Sequence, residues 1–548
     1  MSPERTVTWR LLNLELGLEE PESVLRERAC RELGLEPEEL RGFRFARKTL
    51  DARDRRRGRA PRFVVHTDLI LAAGCETPRL ARAVRSGRVI AAPAAGSLEA
   101  DSVHDSLAGG GRAVVVGCGP AGVFAALPLA LAGLRVTLVE RGSRLERRSR
   151  DLVRFHRTRV PDPESNLLFG EGGAGTYSDG KLATRVDDAL EVPILEELVA
   201  AGAPAEILYD SRAHIGTDRL HTLLPRLRGR LEACGVEFGW NARFEGLVAD
   251  EGGGARRVRA VTTSVGELPC DVLVLATGHS ARDTWAALVE QGLPIEAKPF
   301  QLGVRVEHPQ ELIDEARYGS DATLRRLGAA SYNLVCKAGE GLAAAHSFCM
   351  CPGGRIVASV NEPGLLCTNG MSNSAHSSAW ANAAIVTTFG PREFGGGPLA
   401  GVEFQRRLEE RFFEAGGGDY TAPVQRVGDF LDARASEGDL RTSYPFGVLP
   451  ARIDELLGED ARRILARALR RFDRHLPGFA GPRGLLVGVE TRSSGPVRVR
   501  RERATGRVEG FRNLLWVGEG AGFAGGIMSA ALDGARGALS LLRAGVRG

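Results

Sequence analysis

Lysine is scarce in this sequence. Only Lys48, Lys181, Lys298 and Lys337 occur among 73 basic side chains. Arginine supplies nearly all the positive charge throughout, so a run of arginines carries little functional weight. Aromatic residues make up 6% and the formal net charge is only +4, which leaves no large field to draw the chain onto nucleic acid or an anionic membrane. The nine cysteines, at positions 30, 75, 118, 234, 270, 336, 349, 351 and 367, are an odd number spread thinly over 548 residues. That excludes a dense disulfide framework and points to a reducing cytoplasm. The first residues lack the basic start and apolar core of an export signal. Unbroken apolar runs of membrane-spanning length are missing too, because Ala113 to Val139 is interrupted by Gly117, Gly119, Pro120, Gly122, Pro128, Gly133 and Arg135.

Glycine is the one excess, at 69 of 548 residues against a usual share of about 7%. These residues cluster in short strings without a fixed period, which excludes collagen and favours specialised backbone loops. The length implies about three domains. Residues 1 to about 100 read as a small α/β unit: alternating apolar residues in VTWRLLNLEL, a helix over PESVLRERACRELG, then extended GFRFARKTL and PRFVVHTDLIL. Between the last two lies DARDRRRGRAPR, read as a solvated connection or, alternatively, as a docking surface for a polyanion or partner through Arg53, Arg55, Arg56, Arg57 and Arg59.

From Arg112 the pattern is strand (AVVV), glycine-rich turn (GCGPAG), helix and strand (RVTLVE). Gly117, Gly119 and Gly122 supply G-x-G-x-x-G in the context that motif requires. The first glycine permits the tight turn, the second lets a pyrophosphate approach the backbone, and the third lets helix press on strand. The phosphates then meet the unpaired N–H groups and positive end of the helix that opens at Pro120 and Ala121. Glu140, 23 residues after Gly117, ends the second strand where an adenosine ribose would be held, with Arg141 next to it. Pro128, inside the helix, is expected to disturb its geometry slightly.

Three further segments suit the rest of a dinucleotide. In SNLLFGEGGAGTYSDGKL, Gly173, Ala174, Gly175, Ser178 and Lys181 can offer backbone N–H and short polar groups to a diphosphate and its sugar chain. The strand DVLVLATG ends at Thr277 and Gly278 where the ligand would pass. In WVGEGAGFAGGI, Gly518 and Glu519 follow a strand and a helix begins near Gly526, so the acid can hold a ribityl hydroxyl and the helix start can face an electron-rich ring edge.

GCGPAG, ERG, ATG and the carboxy-terminal VGEGAG together resemble flavoproteins with a glutathione-reductase-like FAD domain. The strings FGEGGAGTYSDGKL, GVRVEHPQELID, FCMCPGGRIV, TNGMS and VETRSSGPVRVRR resemble, more closely, a bacterial family of FAD-dependent dehydrogenase-like proteins, over nearly the whole chain. The resemblance implies FAD as cofactor and an α/β fold: a discontinuous Rossmann-like FAD/NAD(P)-binding domain over 109–292 and 506–548, an inserted mixed α+β domain over 293–505, and a small N-terminal α/β domain over 1–108. It implies no substrate. Glu519 stands where the wider flavoprotein class usually has Asp.

No second strand, G-x-G-x-x-G and helix unit is found for a pyridine nucleotide, although NAD(P)H or another donor or acceptor can still serve. Cys349 and Cys351 form C-x-C on an expected strand, facing one side; they are read as small apolar core residues or, alternatively, a redox pair. His279, after the ATG turn, is a candidate proton relay or a plain loop residue, with His346 and His376 weaker. Asn369, Ser372 and Ser374 either hydrogen-bond a substrate or cap a helix. Arg492 is a candidate for bidentate capture of a substrate carboxylate. The expected activity is an FAD-dependent oxidoreductase, a dehydrogenase moving a hydride between a small organic substrate and the flavin. The rivals are a flavoprotein that binds or modifies RNA and a non-catalytic flavin-binding interaction protein.

Overall fold

The stretch Arg112–Val116 is buried at every position but the first, the signature of a strand covered on both faces, as in parallel sheets. In the computed structural model, which describes residues 6–51, 61–182, 186–250 and 254–546, it is the central strand of a five-stranded parallel sheet. The order is Leu514–Trp516, Val272–Leu275, Arg112–Val116, Arg135–Glu140, Glu237–Trp240, every pair parallel. The edge strand Leu514–Trp516 thus comes from near the end of the sequence. Helix Pro120–Leu131 follows the central strand and helix Ile527–Ala544 follows the edge strand. These two helices touch backbone to side: a Cβ on Gly534 would lie 2.1 Å from Ala121 O, so only glycine allows this approach. Pro128 sits inside the first helix, which continues to Leu131. The connection from Glu237–Trp240 back to Val272–Leu275 carries a three-stranded antiparallel sheet, Phe244–Asp250, Arg257–Thr263 and Gly266–Pro269. Helix Leu145–Thr158 was not anticipated; its arginines hide an amphipathic pattern in which Leu145, Arg148, Leu152 and Phe155 are buried.

Between the fourth and last strands of that sheet in sequence lies a seven-stranded sheet. Its order is Val335–Cys336, Ala345–Cys351, Trp380–Phe389, Phe300–Pro309, Leu485–Glu490, Ala422–Arg426, Val448–Pro450, antiparallel except for the last pair. Helices Ala400–Ala415 and Glu459–His475 bury Leu408, Phe412, Leu465, Leu469 and Phe472 in its core. A separate hairpin pairs Gly354–Ala358 with Thr368–Ser372. Asn369 and Ser372 therefore belong to a strand and not to a helix cap.

The chain divides into two compact units, one of Met1–Ser97 with Asp187–His214, the other of Leu98–Val186 with Ile215–Gly548. The segment 187–214, expected within the cofactor domain, groups with the amino-terminal unit, where Lys48 N donates to Tyr209 O (2.7 Å) and Ser211 N to Lys48 O (3.0 Å). That unit is a four-stranded sheet in the order Leu40–Asp51, Arg62–Ala72, Thr6–Gly17, Val89–Ala91. All its pairings are antiparallel, so it is α+β in kind rather than the α/β expected. The basic loop with Arg53, Arg55, Arg56, Arg57 and Arg59 lies outside the described residues. Among the described residues no helix is long and apolar enough to cross a membrane.

Candidate flavin site

A cavity of about 390 Å³ runs past the carboxyl ends of the parallel strands, the position at which open α/β sheets hold ligands. The G-x-G-x-x-G turn forms one wall. Gly117 has φ +105°, and a Cβ there would meet Ala276 O at 2.4 Å; a Cβ on Gly122 would meet Gly117 O at 1.8 Å. Both glycines are required by the turn itself. Gly119 differs. Its φ is −81°, and a Cβ there would touch nothing nearer than Gly173 Cα at 3.9 Å, yet it lines the cavity. A side chain at 119 would fill the cradle and not the protein. The helix starting at Pro120 has no side-chain cap, which leaves its first amides for an anion.

The second glycine loop folds over this turn. Gly172 N donates to Cys118 O (2.9 Å), and Gly173 lies against Gly119. The loop is fixed from beneath by the fully buried Arg148, whose guanidinium donates to Asn166 O (2.8 Å), Glu171 O (2.6 Å), Thr176 Oγ1 (3.0 Å) and Gly173 O (2.9 Å). Nothing in so arginine-rich a sequence marks this residue. Gly173, Ala174, Gly175, Ser178 and Lys181 line the cavity. The Ser178 hydroxyl is engaged within its own turn, donating to Gly175 O and accepting from Gly180 N. Lys181 pairs with Asp179 (3.0 Å) and donates to Met350 O.

Every expected cofactor residue lines this one cavity except Gly122, which packs beneath it. Glu140 accepts from the amides of Cys118, Gly142 and Gly170, three of about four acceptor positions on a carboxylate. Arg141 also lines the cavity, but its donors go to Glu164 and to both oxygens of Asp283, with Phe169 stacked beneath. The Thr277 hydroxyl is buried without a partner, and Gly278 (φ +71°) has open space where a Cβ would be. Glu519 Oε1 accepts from Gly495 N (2.8 Å) and Lys298 Nζ (3.2 Å), while Oε2 has no hydrogen-bond partner among the described residues. Gly518, Gly526 and Ile527 bring the start of the last helix to the same cavity. The cradle at Gly119, the Thr277 hydroxyl, which has no partner among the described residues, and the uncapped start of helix Pro120–Leu131 fit an elongated ligand with phosphates in its middle.

Residues 299–493 match the family described as FAD-dependent protein, C-terminal domain-like, and residues 112–159 match an FAD binding domain. An uncharacterized protein of Clostridium beijerinckii is 37% identical over 533 residues, covering 96% of this chain and 97% of that one. The chain belongs to the FAD-dependent protein family. It is a flavoprotein whose cofactor is FAD. Residues 9–60 match a domain of unknown function. Among solved structures, CtdE in complex with FAD aligns over 80% of this chain and 86% of its own at 10% identity and a TM-score of 0.30. An L-amino acid deaminase from Proteus vulgaris aligns over 82% and 94% at 13% identity and a TM-score of 0.29. Likeness at this level supports no inference about activity.

At the end of the cavity nearer the seven-stranded sheet, this FAD-dependent protein collects charge. His279, Arg492, Ser493, Asn369 and Cys349 all line it. Arg492 corrects the expectation of a free carboxylate clamp. It is only 3% exposed, and its Nε and Nη2 clasp Glu409 at 3.0 and 2.8 Å while Nη1 donates to Asn361. Arg282 clasps the same carboxylate at 2.8 and 3.0 Å and also reaches Glu362 at 2.9 Å. Burial opposes ionisation of Glu409, but the two guanidiniums hold it far below the usual carboxylate range. Two buried cations thus share one fully buried anion. His279 sits beside this cluster with Nδ1 2.8 Å from Ser280 Oγ. Desolvation, with Arg492 second, lowers its pKa to about 4, so the imidazole is neutral at pH 7.

Proposed function

We propose that this protein is a dehydrogenase with a glutathione-reductase-like FAD domain, which moves a hydride between a small organic substrate and the flavin N5. The observation that carries the reading is the continuity of one cavity from the Gly119 cradle to the polar end formed by His279, Ser493 and Arg492. The five-stranded parallel sheet with an antiparallel three-stranded crossover supports the glutathione-reductase-like part.

Bound FAD supplies reversible uptake of two electrons and a proton. The polypeptide supplies position and electrostatics. The first-turn amides after Gly119 would hold phosphate, Glu140 and Glu519 would face sugar and ribityl hydroxyls, and the Arg282–Glu409–Arg492 cluster would give the far end of the cavity a fixed polar wall. A neutral His279 can accept a proton from a substrate hydroxyl or amine as its hydride leaves, and the Ser280 hydroxyl orients the ring. NAD(P)H or another soluble carrier is the proposed electron partner.

The test is to purify the protein, record the visible spectrum for bound flavin, and screen metabolites anaerobically for bleaching at the flavin maximum. Bleaching by a hydroxy or amino compound, slowed when His279 is replaced by Ala, is the expected result. Bleaching by NAD(P)H alone, with reoxidation by an organic substrate, would reverse the direction of the proposed reaction. A protein free of flavin would overturn the assignment.

A further inference from the structure

Of the C-x-C pair, expected as core residues, Cys351 is one and Cys349 is not. In the strand Ala345–Cys351, Phe348 pairs with Ala384 and Cys351 with Asn382, so three steps on one strand oppose two on the other. The extra residue is a β-bulge, which bends the strand locally. Cys349 sits in it at φ +43°, a left-handed conformation that non-glycine residues rarely adopt and that clusters at functional sites. Cys351 is fully buried, whereas Cys349 is half-buried and lines the cavity with Lys181 and Asn369. In a regular strand the two would lie about 6.6 Å apart along the chain, at the outer edge of disulfide reach; the bulge removes that regular spacing.

The bulge brings the Cys351 thiol to within 3.4 Å of Cys349 O, to which it donates. The neighbouring Cys351 side chain lowers the Cys349 pKa against the opposing effect of burial, with help from the Arg305 guanidinium and the Lys181 ammonium. The Cys349 side chain and burial raise Cys351 well above the ordinary thiol range. Arg305 is anchored by Glu490 (2.6 Å) and Asn369 (2.7 Å) and donates to Cys349 O (2.9 Å). Lys181 donates to Met350 O, between the two cysteines. A thiol shifted toward its thiolate, a second thiol two residues away across a bulge, fixed cations and an open cavity are what thiol–disulfide chemistry needs.

We infer that Cys349 and Cys351 form a two-electron dithiol/disulfide couple that exchanges electrons with FAD bound in the adjoining cavity; this rests on the flavin assignment. When the Sγ–Sγ bond forms, the two thiols lose two electrons and two protons. Both electrons and one proton pass to oxidised flavin and the other proton to solvent. In the opposite direction reduced flavin breaks the Sγ–Sγ bond and both sulfurs are reprotonated.

The FAD-loaded protein, oxidised with diamide and desalted, is titrated anaerobically with dithionite. In parallel, the tryptic peptide Ala338–Arg355, which holds these two cysteines and no other, is alkylated and weighed. The expected result is uptake of four electrons per flavin in the native protein and two in Cys349→Ser and Cys351→Ser, with the native peptide closed to alkylation before reduction and doubly alkylated after. Uptake of two electrons by the native protein, with the peptide fully alkylated beforehand, would overturn the couple and leave the flavin assignment standing. A colourless native protein would overturn the flavin assignment and with it the electron route. If either variant loses its flavin, the native electron count and peptide mass still decide.

Discussion

The contrast between Gly119 and Gly122 separates holding the cofactor from holding the fold. At Gly119 the backbone is in an extended conformation open to any residue (φ −81°, ψ −179°), and a Cβ would have 3.9 Å of clearance from the nearest protein atom. Gly119→Val should therefore cost the FAD-free protein under about 1 kcal/mol, mostly from a poorer helix cap. Its branched side chain would stand where the pyrophosphate must lie, so FAD affinity should fall at least about 100-fold, or about 2.7 kcal/mol, with Gly119→Ala intermediate. At Gly122 a Cβ would stand 1.8 Å from Gly117 O, and the helix must move off the strand, an overpacking cost of about 1–3 kcal/mol or more. Flavin stoichiometry is read from the visible spectrum after gel filtration. Stability is read by urea denaturation of the FAD-free forms, because bound cofactor would itself raise the midpoint. Stoichiometric flavin in Gly119→Val, or equal destabilisation of the two variants, would refute the placement of the phosphates.

Three other outcomes follow from buried charge. Glu409→Gln strands Arg282 and Arg492 without their anion and should cost about 3–5 kcal/mol in urea denaturation. Glu403→Gln, which removes only a surface partner of Arg406 at 3.2 Å, should cost under about 1 kcal/mol; equal effects would contradict the buried cluster. His308 is fully buried with Nε2 2.8 Å from Phe479 O, and desolvation lowers its pKa to about 4. Unfolded His308 takes up a proton near pH 6.5 that the folded residue refuses, so its contribution is complete above that pH. On the order of 3 kcal/mol is lost as pH falls from about 6.5 to about 4, and His308→Asn should flatten the stability profile across this window. Arg148→Met releases the Gly173 loop and should weaken FAD binding at least about tenfold, measured by flavin fluorescence titration; unchanged affinity would remove the loop from the site.

The parts of the site made of backbone were legible, because glycine spacing after an apolar strand has few other physical uses. Gly117, Gly119, Gly122, the Thr277–Gly278 strand end and the Gly518–Gly526 turn were found from that signal. The parts made of long-range charge were not. Arg148, Arg282 and Arg492 look like any other arginine in this chain, and their roles depend on Asn166, Glu171 and Glu409, brought near only by the fold. The Cys349 bulge was hidden for a different reason. Alternation predicts a strand, but an extra residue depends on the register of the neighbouring strand Trp380–Phe389. The grouping of 187–214 with the amino-terminal unit likewise rests on pairing with Lys48, across a distance no local pattern reports.

The strand Leu514–Trp516 also sets a timetable. It completes a sheet whose central strand is made some 400 residues earlier, an interval of about 20–80 s at ordinary translation speeds of about 5–20 residues per second. For about the last 240 residues of that interval Val272–Leu275 has an open edge, and throughout it the half of the cavity carrying Glu519 and the last helix has not left the ribosome. Cofactor loading is thus held back until the strand Leu514–Trp516 and the helix after it have been made. A message truncated after residue 510 would yield a chain with its nucleotide turn intact and no means of closing around the ligand.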